Sequence, residues 1–278
     1  MLRPRDSHAL RLLDATLTLT PGAEVRWLFD VFGNSIAIAS FQEPADILRI
    51  ASDILIHRYP TLGGSFSIEE YAKKIPFSYP AGEIPDLGRT IERHYPDPER
   101  LITEWTRQLL EDEQVAGRTE AFLRTMTEAI REQFQYVARY EPGTQSPVET
   151  LQKGSGTCRD YALFMMEAVR SVGLAARFVS GYLYDPAVDG ADSDVTGAGA
   201  THAWVQVYLP GAGWIEFDPT NGGVGGHNLV PIAVAREPSQ AMPVSGTFSG
   251  DAGDFLAMEV EVTVRSLGLD AERNGDSL

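Results

Sequence analysis

Along the first sixty residues the apolar positions recur every second residue. Leu17 and Leu19 alternate with Thr16, Thr18 and Thr20, and Pro21-Gly22 then supplies a turn. Segments 24–32 and 35–41 read as two strands split by Gly33-Asn34, a pair that suits a tight hairpin, and 47–59 is a further β-branched run of period two. These strands predict a small antiparallel sandwich or barrel. Five prolines between 76 and 98 then disfavour helix and sheet interiors alike, marking a linker or a wrapped connection with a boundary near residue 90.

Beyond that boundary the period changes to that of a helix. Leu101, Trp105, Leu109 and Leu110 share one face of a segment at 98–114, and Phe122, Met126, Ile130 and Phe134 do so at 119–134. Both stripes read as core. Ser146-Pro147-Val148-Glu149 is a capping box with proline at the first helical position. A second box follows, with Thr157 as N-cap, Asp160 three residues on, and Ala162, Leu163, Met166 and Val169 as the apolar face up to Gly173. Strands are predicted at 176–184, 201–209 and 214–218, and a half-buried one at 258–264, where Met258, Val260, Val262 and Val264 alternate with polar residues. The segment 185–200 reads as a mobile loop and the last ten residues as frayed.

Composition narrows the chemistry. With 39 acidic against 23 basic side chains the net charge is −16, so phosphate backbones and anionic membranes are repelled and no nucleic-acid or membrane partner is expected. No apolar run is long enough to span a bilayer, and the amino terminus has no secretory-signal pattern. The single cysteine excludes an internal disulfide framework and a cysteine-based zinc cluster, and a reducing cytoplasm is the expected compartment. Asp185, Asp189, Asp192 and Asp194 match no EF-hand spacing, so no metal or other cofactor is expected.

That cysteine, Cys158, falls in the first turn of the helix capped by Thr157, where unpaired N–H groups and the positive end of the dipole favour a thiolate. Gly154 and Gly156 would let a substrate backbone approach. On the strand at 201–209, His202, Trp204, Gln206 and Tyr208 share the face opposite Ala203, Val205, Val207 and Leu209. A turn centred near 210 would set His202 directly across from Asp218, Trp204 from Glu216 and Gln206 from Trp214, with a one-residue slip sending the acid to the other face. Asp218 reads equally as a turn residue before Pro219. Thiol, imidazole and carboxylate in this arrangement meet the needs of a nucleophile, its base and the group that orients the base. The rival assignments are a buried structural cysteine, a binding module without turnover, and a mononuclear metal site built from Cys158, His202, Asp218 and His227.

Gly-Thr-Cys-Arg-Asp-Tyr-Ala at 156–162, Thr-His-Ala-Trp-Val at 201–205 and Trp-Ile-Glu-Phe-Asp-Pro-Thr at 214–220 resemble the three motifs of the transglutaminase-like superfamily. Leu-Arg-Pro-Arg-Asp-Ser-His at 2–8 and Asp-Val-Phe-Gly-Asn-Ser at 30–35 resemble the β-rich amino-terminal region of its bacterial members. The resemblance implies an α+β fold: a β-rich domain at 1–90, lacking the strand that usually precedes the Leu-Arg-Pro-Arg segment, and a papain-like catalytic core at 91–278. It further implies Cys158, His202 and Asp218 as catalytic residues, with Gln152, six residues upstream of the cysteine, and Trp204 as auxiliary or oxyanion positions. The expected reaction is thiol-dependent acyl transfer on an amide or peptide substrate, with hydrolysis ahead of amine-accepting cross-linking and a cationic peptide or protein as the favoured partner.

Overall fold

The computed structural model describes residues 1–59, 65–139, 141–189, 196, 199–251 and 253–267. Four strands open the chain: β1 (Leu10–Thr20), β2 (Glu24–Phe29), β3 (Ser35–Ser40) and β4 (Arg49–Arg58). They form two separate antiparallel ribbons, β1 with β4 and β2 with β3, where a sandwich or barrel was expected. The β2–β3 hairpin is the anticipated one, but β2 ends early. The Asp30 carboxylate accepts the N–H groups of Phe32 and Asn34, turning the chain before Gly33, whose φ is +74°.

The proline-rich stretch wraps the core, with one short helix, α1 (Ile84–Leu87). Tyr79 is buried there; its hydroxyl donates to the Tyr208 carbonyl at 2.9 Å and accepts from the Ala175 N–H at 2.9 Å. Then follow α2 (Leu101–Leu110), α3 (Thr119–Gln133), β5 (Gln135–Tyr136), α4 (Pro147–Lys153), β6 (Ser155–Gly156) and α5 (Cys158–Ser171). The apolar stripe of α3 is core, as its period requires, whereas in α2 Ile102 and Thr106 are the buried residues and Trp105, Leu109 and Leu110 pack half-buried against that core. Ser146 caps α4 by accepting the Glu149 N–H at 3.2 Å.

A five-stranded antiparallel sheet completes the fold, from β7 (Ala176–Leu183), β8 (His202–Leu209), β9 (Gly213–Asp218), β10 (Gly223–Val224) and β11 (Leu229–Ala235), in the order β10-β9-β8-β7-β11. Helix α5 packs chiefly on β8 and is buried on nearly all sides. Ala203, Val205 and Val207 meet it from the sheet; α2, α3 and α4 cover the rest. Each buried Leu, Phe, Met or Val side chain contributes about 1.5–3 kcal/mol, so its apolar side chains anchor this helix firmly in the core. Arg170 on α5 pairs with buried Glu167 at 3.0 Å, and Glu167 accepts the N–H groups of His94 and Tyr95, which ties the wrapped segment to the core.

The amino-terminal ribbons cover the outer face of the sheet. Leu10 packs with Val230 and Ile232, Phe32 lies against Val179 and Trp204, and the Asn34 side chain bonds both the N–H and the carbonyl of Val234. The strand expected at 258–264 does not form. Met258 and Val260 are exposed, and among the described residues no ladder takes up the alternation; Val262 N–H bonds the Gly199 carbonyl at 3.0 Å. Asp192, Asp194 and the frayed terminus expected at 269–278 lie outside the described residues.

Candidate active site

Cys158 is the first residue of α5 and is 7% exposed. Its position is set by Asp160, whose carboxylate is fully buried. Oδ2 accepts the Thr157 N–H and the Thr157 hydroxyl, each at 2.9 Å; Oδ1 accepts the Gln145 N–H at 2.7 Å and an Arg139 guanidinium N–H at 2.9 Å. Burial alone would raise the Asp160 pKa, but these donors hold it below the ordinary carboxylate value. Gly156 is required by the same network, because a Cβ there would sit 2.9 Å from the Asp160 Cβ and 3.0 Å from Gln145 Nε2. Gly154 closes α4 at φ +58°. Gly156 thus serves the entry to the helix, and Gly154 the end of α4.

The hairpin carrying the other two residues differs from the expected register by two positions. Gly213 lies across from Leu209 and Gln206 across from Glu216, because the Leu209–Ala212 turn centres on Gly211, at φ +85°. A shift of two preserves the face. His202 Nε2 therefore still reaches Asp218 Oδ2, at 2.9 Å, on a diagonal across β8 and β9. Asp218 is also a turn residue: Oδ1 accepts the Thr220 and Asn221 N–H groups, and Oδ2 accepts Asn221 Nδ2 at 2.9 Å.

His202 and Asp218 are both buried, at 1% and 2% exposed. Burial opposes the imidazolium, but the Asp218 charge and hydrogen bond, with a further contribution from the Cys158 sulfur, lift the His202 pKa to about 10. Burial likewise works against the Asp218 carboxylate, and His202 with Asn221 and the Thr220 N–H hold its pKa down. His202 Nδ1 is buried with no hydrogen-bond partner, which leaves it the nitrogen available to the sulfur. Trp204 lies beneath the imidazole, the two rings stacked with centroids 5.9 Å apart and planes 26° from parallel.

Gln152 is exposed on α4, and no hydrogen bond ties it to this pair. The hydroxyl that does meet the sulfur is Tyr136, on β5. Its strand pairs with β6, Tyr136 opposite Gly156, two residues before the cysteine. Burial first, then the Cys158 charge and hydrogen bond, push the Tyr136 pKa up to about 12, so the phenol stays a donor. Nothing in the apolar period marked Tyr136; its only signal is an aromatic just past the end of α3. Among the described residues no group of three or more His, Cys, Asp or Glu side chains is set to hold a metal ion. Asp185 accepts the Ala187 N–H, while Asp189 accepts the Tyr184 hydroxyl and the Ser266 N–H.

A buried helix with a cysteine at its first residue, packed on an antiparallel sheet with a histidine–aspartate pair, defines a papain-like core of the transglutaminase type. The transglutaminase-like superfamily profile matches residues 105–219, and the profile of the bacterial transglutaminase-like N-terminal region matches 1–57. The chain therefore carries a transglutaminase-like core and, ahead of it, a bacterial transglutaminase-like N-terminal region. Its fold resembles the crystal structure of a candidate cysteine protease from Cytophaga hutchinsonii, with TM-score 0.58 and 18% identity over 86% of this chain and 76% of that one. An uncharacterised Mycobacterium tuberculosis protein is 28% identical over 94% of this chain and 84% of its own length. A Mycobacterium leprae relative is 34% identical over 45% of this chain, a match spanning 44% of the relative. A protein-glutamine gamma-glutamyltransferase of Pseudomonas aeruginosa is 29% identical over 35% of this chain and 14% of that protein.

Proposed function

We propose that the protein is a thiol-dependent acyltransferase acting on amide or peptide bonds, with hydrolysis as its main reaction. The observation that carries this reading is the His202–Asp218 pair, joined at 2.9 Å through Nε2, with Nδ1 left without another partner beside Cys158. An imidazole whose pKa stands near 10 is protonated at neutral pH, which favours a thiolate–imidazolium pair.

In the first step the Cys158 thiolate adds to the substrate carbonyl carbon. The resulting oxyanion takes hydrogen bonds from the Cys158 backbone N–H, one of the first-turn donors without an intrahelical acceptor, and from the Tyr136 hydroxyl. His202 gives its Nδ1 proton to the leaving nitrogen, the C–N bond breaks, and a thioester remains. Neutral His202 then removes a proton from water as water attacks the thioester, and expulsion of the thiolate restores the ion pair. Asp218 keeps the Nε2–H tautomer and stabilises the charged ring throughout.

An incoming amine in place of water would give a cross-link, the reading favoured by the partial likeness to the Pseudomonas glutamyltransferase. The acidic surface supports a cationic peptide or protein as substrate, and the lone thiol supports a cytoplasmic site of action. The test is a peptide library incubated with the protein, with and without an added primary amine. Cleavage in both arms supports hydrolysis and amine adducts support cross-linking. No thioester and no product in either arm would count against acyl transfer.

A further inference from the structure

Behind the His202–Trp204 stack lies a largely covered carboxylate, its side chain 12% exposed, with no part in the steps above. Glu216, on β9, is directly opposite Gln206, whose Nε2 donates to Oε1 at 3.4 Å. Arg58, from the end of β4, reaches across from the amino-terminal region and brings its guanidinium to 3.7 Å from Oε2. The same Arg58 donates to the Gly226 carbonyl, and Gly225 N–H bonds the Glu216 carbonyl oxygen at 2.9 Å. Gly226 has to be glycine here, since a Cβ would collide with the Glu216 carboxylate.

Trp204 completes the arrangement. Its indole is fully buried and supports the His202 ring on one side. Its Nε1–H has no hydrogen-bond partner, and Glu216, which pairs with Gln206, stands diagonal to Trp204 on the same face of the β8–β9 pair. An indole N–H at zero exposure needs an acceptor, and the Glu216 carboxylate is the acceptor at hand. A chain of contacts therefore runs from Arg58 through Glu216 and Trp204 to His202.

We propose that Glu216 is a positioning residue for His202, its carboxylate fixing the Trp204 indole on which the imidazole rests and itself held by Arg58 of the amino-terminal region. The inference rests on His202 being the acid–base group proposed above. It goes further by making docking of the amino-terminal β region a condition for a well-placed imidazole. The groups facing the carboxylate are Arg58 from β4, Arg177 from β7, Gln206 and Trp204 from β8, and the Gly225–Gly226 backbone. Burial raises the Glu216 pKa and Arg58, Gln206, Trp204 and Arg177 lower it, leaving it at about 7. Above that value the carboxylate holds Arg58 and the indole N–H. Below it the protonated acid releases the guanidinium and loosens the indole.

The test uses the full chain, isotope-labelled, and follows the His202 ring nitrogens and the Glu216 carboxyl carbon by NMR between pH 5 and 8.5. Against the opposing effect of burial, chiefly Asp218 pushes the pKa of His202 up to about 10, above this window. The expected result is a step in the His202 shifts that tracks Glu216 ionisation near pH 7, vanishes in Glu216→Gln, and moves to higher pH in Arg58→Met. A Glu216 carboxyl titrating below pH 5, a flat His202 signal in the unaltered protein, or a step that survives Glu216→Gln would overturn the proposal. Should Glu216→Gln not fold, Arg58→Met decides alone, because an unmoved step there removes the role of the amino-terminal region. None of these readouts depends on turnover. If Cys158 proves inert to alkylation while the step behaves as expected, the acyl-transfer reading fails and the Glu216 assignment stands.

Discussion

Asp218 bonds His202 on a diagonal, Oδ2 to Nε2 at 2.9 Å, with the acid two positions along β9 from where direct opposition would put it. Diagonal neighbours on one face of an antiparallel pair are about 7–8 Å apart at their backbones, within reach of an imidazole and a carboxylate that point toward each other. The turn at Thr220 and Asn221 fixes the carboxylate in that direction.

Replacing Asp218 with Asn keeps an oxygen at the same place and removes the charge. We expect kcat/KM to fall by about 10³–10⁴-fold. The His202 pKa, raised from 6.5 to about 10, should drop. A raised histidine pKa adds stability that is complete below 6.5 and is lost as pH rises through about 10. Urea midpoints should therefore decline across that window in the parent protein and stay nearly flat in Asp218→Asn; matching profiles would contradict the assignment.

Alkylation of Cys158 by iodoacetamide at pH 6 should be rapid and stoichiometric. In His202→Ala it should slow by about 10²-fold or more, to the rate of an unactivated thiol. Labelling that is equally fast in both proteins would mean that the imidazole does not activate the sulfur.

Tyr136→Phe removes one hydroxyl from beside the Cys158 sulfur. Loss of one oxyanion donor corresponds to about 10²–10³ in kcat. Iodoacetamide labelling, which forms no oxyanion, should change little. A variant with full kcat would leave Tyr136 as packing only.

Asp160→Ala leaves the Arg139, Gln145 and Thr157 donors around a vacated buried site. We expect a loss of about 2–4 kcal/mol in urea unfolding, from the missing charged hydrogen bonds and the unpaired partners. The depressed Asp160 pKa contributes stability that is present above its ordinary value of 3.8 and lost as pH falls through the lower folded value. The difference between parent and variant should therefore shrink in acid.

Much of this architecture was legible in the chain because it is locally encoded. The stripe of Phe122, Met126 and Ile130, the Ser146 and Thr157 caps and the alternation through 202–209 each depend on neighbours a few residues away. The hairpin register was less accessible. It depends on which residue of Pro210-Gly211-Ala212 takes the positive φ, and moving the centre from 210 to 211 shifts every pair by two. The 258–264 alternation misled because a strand requires a partner edge, which no local pattern can supply. Tyr136 went unseen for a related reason: its place beside Cys158 comes from pairing with Gly156, a contact between distant segments.

The entry to α5 is specified within residues 139–160, and the histidine–aspartate pair within 202–221. Each half of the site is thus a short module, and what brings them together is the apolar seam between α5 and β8, which includes Met166 and Val169 on the helix and Val207 on the sheet. A bulky substitution in that seam, far from any reacting atom, would leave both modules whole and still part the sulfur from the imidazole. Variation in the core of this protein is therefore a route to silencing it that leaves every motif intact.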